Sequence, residues 1–227
     1  MNIFDIIGPV MVGPSSSHTA GAVKIGYVAR KLMGQPVKKA EILLHGSFLA
    51  TGKGHGTNLA LVAGLLGMKP DDKQIPHSFE IAKELHMEYA FGETDLKDAH
   101  PNSVLLKLTG EDGRYMEIVG ESLGGSVINI ASIDGHAANF SGDYPTLIIQ
   151  NKDLPGRVAE VTSELAKRGI NIATMKLSRS VRGEDAVMII ECDHEVWEEA
   201  IGWLKQMEGV QRVTYYSQAV ERCSTRR

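Results

Sequence analysis

The final third of the chain carries the tightest constraint on fold. Between residues 146 and 216 the apolar pattern switches period repeatedly: strand-like over 146–150, helical over 156–168, and strand-like over 170–178. A turn at Arg182-Gly183-Glu184 follows, then a strand over 186–191, a helix over 195–207 and a strand over 210–216. The order βαββαβ predicts a ferredoxin-like module, a four-element sheet with its two helices on one face. Such a sheet leaves strand edges unpaired, and a second copy of the chain is a common way to cover them. A homodimer through this module is therefore expected.

The preceding residues follow other rules. Val12 to Thr19 is a glycine-, proline- and serine-rich loop signal, and Ala22, Val23, Ile25, Val28, Ala29, Leu32 and Met33 after it have helical spacing, with Gly34 as the stop. A buried strand is expected over 40–44, then a glycine-rich loop from His45 to Asn58, then an apolar helix over 57–66. A further helix is expected over 77–90, on the apolar positions Phe79, Ile81, Ala82, Leu85, Met87 and Tyr89. Strands over 104–108 and 115–119 flank Glu111-Asp112-Gly113-Arg114, where Asp-Gly signals a hairpin, and a third strand covers 127–133. The stretch with Gly135, Asn139, Ser141, Gly142 and Pro145 reads as a linker. The fold class is α/β of the mixed α+β kind, with domains at 1–142 and 143–227. The tail 222–227, polar with three arginines, is expected to fray.

Composition narrows the function. Lys and Arg total 24 against 28 Asp and Glu, a net charge of −4, which is the wrong sign for wrapping a nucleic-acid backbone. The apolar runs are shorter than a membrane span, and residues 1–12 lack a basic n-region, so a soluble cytoplasmic chain is expected. Cys192 and Cys223 are the 2 cysteines, too few for a disulfide scaffold or a three- or four-thiolate site on this chain alone. His77 and His86 are expected on a surface helix and His194 near a cap, and no histidine pair has zinc-helix spacing, so no metal site of the chain's own is expected.

Two segments carry chemistry. Ser15, Ser16, Ser17, His18 and Thr19 open a helix, where free amides, hydroxyls and the helix dipole suit a carboxylate or phosphate. One serine suffices as a cap, so three followed by a histidine exceed that need. In Thr51-Gly52-Lys53-Gly54-His55-Gly56-Thr57-Asn58, glycines allow close ligand approach beside a histidine. A phosphate loop needs Ser or Thr directly after the lysine, and Gly54 stands there, so the nucleotide reading fails.

These segments, with His100-Pro101-Asn102, resemble the β subunit of the two-subunit bacterial iron–sulfur L-serine dehydratases, over essentially all of residues 1–140. The resemblance implies a serine dehydratase beta-type domain, similar in outline to the allosteric substrate-binding domain of some phosphoglycerate dehydrogenases. It implies conversion of L-serine to pyruvate and ammonia through an aminoacrylate, with a [4Fe–4S] cluster whose open iron is a Lewis acid. Several thiolates hold such a cluster, so with two cysteines here it is assigned to a partner α subunit. His18 and His55 become the catalytic candidates, either of which could take the Cα proton, and Ser15, Ser16, Ser17, Thr19, Gly56 and Thr57 the substrate-binding candidates. Gly124-Gly125 is followed by Ser126 where some relatives have a third glycine.

Asp153-Leu154-Pro155-Gly156-Arg157-Val158 and Gly169-Ile170-Asn171-Ile172 match the pattern of an ACT domain, the family's regulatory module. Asn151, Asp153 and Asn171 resemble the serine-binding positions of phosphoglycerate dehydrogenase, which has His at 151 and Asn at 153. They are the allosteric candidates, with Asn151 and Asp153 placed on the loop after the first strand. L-serine is the ligand expected at an ACT dimer interface, and a plain helix cap is the competing role of Asp153. Two other function classes stay open: a free-standing amino-acid sensor, and a scaffold subunit without chemistry.

Overall fold

The computed structural model describes residues 11–179, 181 and 183–218, with the side chain of Lys53 excepted. Most of the opening segment 1–12, Arg182 of the expected turn, Cys223 and the tail 222–227 lie outside the described residues. The chain divides into two compact units, one ending at Ser141 and the other beginning at Gly142.

The first unit is built on a 6-stranded sheet in the order β2-β1-β3-β4-β5-β6. Its strands are β1 Val37–His45, β2 Glu88–Glu93, β3 Asn102–Gly110, β4 Tyr115–Gly124, β5 Val127–Ile133 and β6 His136–Phe140. The β1–β2 pair is parallel and the other pairs are antiparallel. Alternation puts Ile42, Leu44, Val104, Leu106, Leu108, Met116, Ile118, Ile128 and Ile130 into the core. Above β3, β4 and β5 lies α1, Ala22–Met33, which packs in turn against α3, Thr57–Leu65. The expected helical positions of α1 are all buried, and Gly34 is its C-cap.

Three expectations fail here, each for a physical reason. Residues 46–55 are not a loop but α2, Gly46–His55. Glycine costs about 1 kcal/mol per helical position relative to alanine, yet Phe48 is completely buried, and that packing outweighs local preference. Gly56, at φ 72°, ends α2 and starts α3 in the left-handed region that glycine enters without strain. The helix expected over 77–90 is much shorter: Ile75–His77 is a 3-10 turn, and α4 runs from Ser78 to Glu84. His86 adopts φ 55°, and the chain then enters β2, where Tyr89 and Phe91 gather around Phe79 with ring centroids 5.2 and 6.2 Å away. Pairing with β1 outweighs the helical spacing of Met87 and Tyr89. The expected linker contains β6, which buries Ala138 and Phe140 after a turn at Asp134-Gly135, both at positive φ. A shifted register against β5 hides its period from the sequence.

The second unit matches its expected order. The strands β7 Thr146–Lys152, β8 Ile172–Arg179, β9 Asp185–Cys192 and β10 Val210–Tyr216 form a 4-stranded antiparallel sheet in the order β10-β7-β9-β8. The helices α5, Arg157–Lys167, and α6, Glu198–Gln206, supply Val161, Leu165, Ala200 and Leu204 to a core shared with Leu147, Ile149, Met188 and Ile190. This is the βαββαβ arrangement.

Candidate active site

The first unit gathers both chemistry-bearing segments at one end of its sheet. Ser15, in extended conformation, caps the chain entering a π-helical turn, Ser16–Gly21, and its Oγ accepts the His18 N–H at 3.1 Å. The wide turn leads directly into α1 and carries the half-buried His18 ring toward α2. There His18 Nε2 lies 2.9 Å from Thr51 Oγ1 and 3.2 Å from Ser47 Oγ. The Thr51 hydroxyl also donates to the Ser47 carbonyl at 2.9 Å, the usual back-bond of a helical threonine. On the other side of the ring, Nδ1 is 3.5 Å from Ser15 Oγ. His55, exposed at the end of α2, sits with its ring centroid 5.0 Å from that of His18, and buried Phe48 meets the same ring edge-on at 5.4 Å.

Electrostatics follow from this packing. Burial pushes the His18 pKa below the ordinary histidine value, the nearby charge of protonated His55 pushes it further down, and the interaction with the Ser47 backbone opposes both. His18 is thereby biased toward the neutral, proton-accepting form.

The surrounding segments fix the frame. Ser47 N–H donates to Pro101 O at 2.7 Å, and Gly46 bridges to Asn102, so His100-Pro101-Asn102 anchors the start of α2. Asn102 Nδ2 reaches Ser122 O at 3.3 Å, while Ser122 Oγ donates to Ser17 O at 2.9 Å. His100 Nδ1 accepts the Asn102 N–H at 3.1 Å. In the Gly124-Gly125-Ser126 turn, Ser126 adopts φ 64° where glycine was expected, and its carbonyl accepts from Lys24 Nζ of α1 at 3.5 Å.

Of the substrate-binding candidates, Ser15, Ser16 and Ser17 are partly open on the π-helical turn, and Gly56 is partly open at the α2–α3 junction. Thr19 and Thr57 are both buried. Thr19 Oγ1 donates to the His55 carbonyl at 3.1 Å, tying the first segment to the second, and Thr57 packs against Gly52 inside the fold. Sequence reasoning missed Ser47 and Thr51, which touch His18 directly. The signal was present as Ser47, Thr51 and His55 at i, i+4 and i+8, one face of a helix, once residues 46–55 are read as helical.

The second unit treats its three candidates differently. Asn151 lies within β7 rather than on the loop after it, is buried, and donates to its neighbour's carbonyl, Lys152 O, at 2.8 Å. Asp153 does not cap α5, whose N-cap Gly156 has no side-chain hydrogen bond. It instead accepts from Arg179 Nη1 at 2.8 Å and from Gly183 N at 3.0 Å. Asn171 donates to Asp193 and precedes Ile172, which faces Cys192 across the sheet, whereas Asn151 faces Ala186. Six residues of β9 separate those positions, about 20 Å at strand rise, so one copy of the chain does not bring the three together.

Among the described residues, no group of three or more His, Cys, Asp or Glu is arranged to hold a metal ion. Cys192 is buried and unpaired, and burial pushes its thiol up to about 11, away from the thiolate that ligation needs. Cys192 is the one thiol among the described residues, and its burial does not suit it to cluster ligation. No helix among them is long and apolar enough to cross a membrane.

Comparison with known proteins matches the same two regions. The family model described as serine dehydratase beta chain covers residues 2–91, and the ACT domain model covers residues 146–208. The probable L-serine dehydratase beta chain of Bacillus subtilis (strain 168) is 38% identical over 94% of this chain and 96% of its own length. The L-serine dehydratase beta chain of Peptoniphilus asaccharolyticus is 40% identical over 86% of this chain and 88% of its own. D-3-phosphoglycerate dehydrogenase of Methanocaldococcus jannaschii is 27% identical over 85% of this chain but only 36% of the enzyme.

Proposed function

Since the chain belongs to the family of L-serine dehydratase beta chains, we propose that it is the β subunit of an L-serine ammonia-lyase that forms pyruvate and ammonia. Its partner is an α subunit, and the iron–sulfur cluster is assigned to that partner. The observation that carries this reading is the meeting of His18 and His55, ring centroids 5.0 Å apart, beside a turn rich in serine hydroxyls.

The chain's own contribution is proton handling and substrate placement. In the elimination, the Cα–H bond breaks and an N–H bond forms on a histidine, while the electron pair left behind becomes the Cα–Cβ double bond. The β-hydroxyl departs as water, taking up a proton equivalent to the one that the histidine later releases to solvent. The resulting aminoacrylate hydrolyses to pyruvate and ammonia. Burial first and the neighbouring His55 second disfavour a proton on His18, which leaves its neutral ring ready to accept. Ser15, Ser16 and Ser17 receive the substrate carboxylate or amine, Gly56 admits its close approach, and Thr19 and Thr57 support the frame.

Residues 1–142 act as the serine dehydratase beta domain and residues 143–227 as the ACT domain. The ACT module pairs with a second copy, so that Asn151 and Asp153 of one copy approach Asn171 of the other, and L-serine is the ligand read there. The enzyme works in the cytoplasm. A sensor would need no paired histidines beside a hydroxyl-rich turn, and that disfavours the regulatory alternative. Anaerobic mixing tests the proposal: the purified chain alone has no dehydratase activity, and activity appears when the α subunit is added. An isolated chain that deaminates serine after cluster reconstitution overturns the shared site.

A further inference from the structure

The contacts of His18 distinguish its two nitrogens. Thr51 Oγ1 lies 2.9 Å from the Ser47 carbonyl and 2.9 Å from His18 Nε2. A threonine hydroxyl has one proton, and a carbonyl can only accept. With that proton directed at Ser47 O, the Thr51 oxygen presents lone pairs to the ring, and Nε2 must donate. Ser47 Oγ, at 3.2 Å from the same nitrogen, is a second hydroxyl oxygen able to accept on that side. Nδ1 has a looser environment. Among the described residues its hydrogen-bond neighbour is Ser15 Oγ at 3.5 Å, whose lone pair accepts the His18 backbone N–H and whose own proton can point at Nδ1 or at a ligand.

We infer that Thr51 is a positioning residue that holds His18 as the Nε2–H tautomer, so that Nδ1, on the Ser15 side, is the nitrogen that accepts the substrate's proton. The inference rests on the reading above in which one histidine of the His18–His55 pair takes the Cα proton, and it adds which ring, which atom and the device that selects it. The selection is geometric. Ser47, Thr51 and His55 share one face of α2, and Phe48 from the same helix closes on the ring edge. One helix therefore fixes the ring's plane, its tautomer and its neighbouring imidazole. Proton uptake at Nδ1 leaves the Nε2–H bond to Thr51 intact, so the ring need not turn over during the reaction. Ser15, which caps the π-helical turn, would then stand beside the reacting nitrogen, placing the serine run next to the proton acceptor rather than behind it.

The test uses the full chain labelled with 15N-histidine. Two-bond 1H–15N correlation spectra, taken above the His18 titration and assigned by comparison with His18→Gln, report the tautomer directly. The wild-type chain is expected to show Nε2–H. Thr51→Val, which keeps shape and removes the acceptor, is expected to shift signal toward Nδ1–H and to lower turnover of the assembled enzyme by about 10- to 100-fold with KM little changed. Thr51→Ser restores the acceptor and is expected to rescue both readouts. A wild-type Nδ1–H pattern overturns this inference alone, and so does Thr51→Val with an unchanged tautomer. Undiminished turnover in His18→Gln overturns the proton-acceptor reading and the inference with it.

Discussion

His18 owes its lowered pKa to burial first and to His55 second, and only the second cause can be removed without opening the core. A protonated His55 makes a second proton on His18 less favourable, so taking that charge away makes protonation easier and raises the His18 pKa. His55→Gln is accordingly expected to move the His18 titration upward, toward the ordinary value of 6.5, in an NMR pH series on the purified chain. A titration that stays in place would mean that the two rings are neighbours without being electrostatically coupled. At this scale the sequence made part of the site legible. Ser15, His18 and His55 stand out by residue type, because hydroxyls and imidazoles beside glycine are unusual chemistry for a plain connector. Ser47 and Thr51 do not stand out, since their contact with His18 exists only when residues 46–55 wind into a helix, and three glycines within that helix argue locally for a loop. Thr19 and Thr57 show the reverse: their residue type suggests a ligand contact, and the fold turns both inward, which the local sequence does not reveal.

At the scale of elements, the crossing of α1 and α3 holds the first unit's helical layer together, and it depends on two glycines. A Cβ on Gly64 would stand 2.2 Å from the Val23 carbonyl oxygen, and one on Gly26 would stand 2.6 Å from the Leu61 carbonyl oxygen. Both obstacles are backbone, which cannot swing aside as a side chain can. Gly64→Ala is therefore expected to separate the helices and destabilise the unit by about 1 to 3 kcal/mol, the usual cost of overpacking, despite alanine's better helix propensity. Thermal unfolding measures it, and a variant as stable as the wild type would show that the crossing adjusts freely. Elements with a clean period were legible: α1, the β3–β4 hairpin, β5 and all six elements of the second unit. The illegible ones were set by tertiary pairing. β2 exists because β1 offers a parallel edge to Tyr89 and Phe91, and β6 because β5 offers an edge to Ala138 and Phe140. Neither edge is visible from local sequence.

At the scale of the whole molecule, the roles proposed for the candidate groups of each unit involve another chain. Asn151 and Asn171 lie at opposite ends of one sheet, so a serine held by both requires two copies. In calorimetry on the full chain, L-serine is expected to bind only the dimeric form, and Asn171→Ala to abolish the heat; binding to a monomer would place the ligand elsewhere. The first unit presents two histidines and a serine-rich turn, while its described residues hold no metal-binding cluster. The claim joining these facts is that this chain supplies the proton acceptor of a dehydratase site completed by the α subunit. It is tested most directly by measuring L-serine turnover after anaerobic assembly of the α subunit with His18→Ala, in a sample whose assembly is verified by size. The account predicts a loss of about 10² to 10⁴ in rate with the complex intact; turnover near the wild-type rate would contradict it.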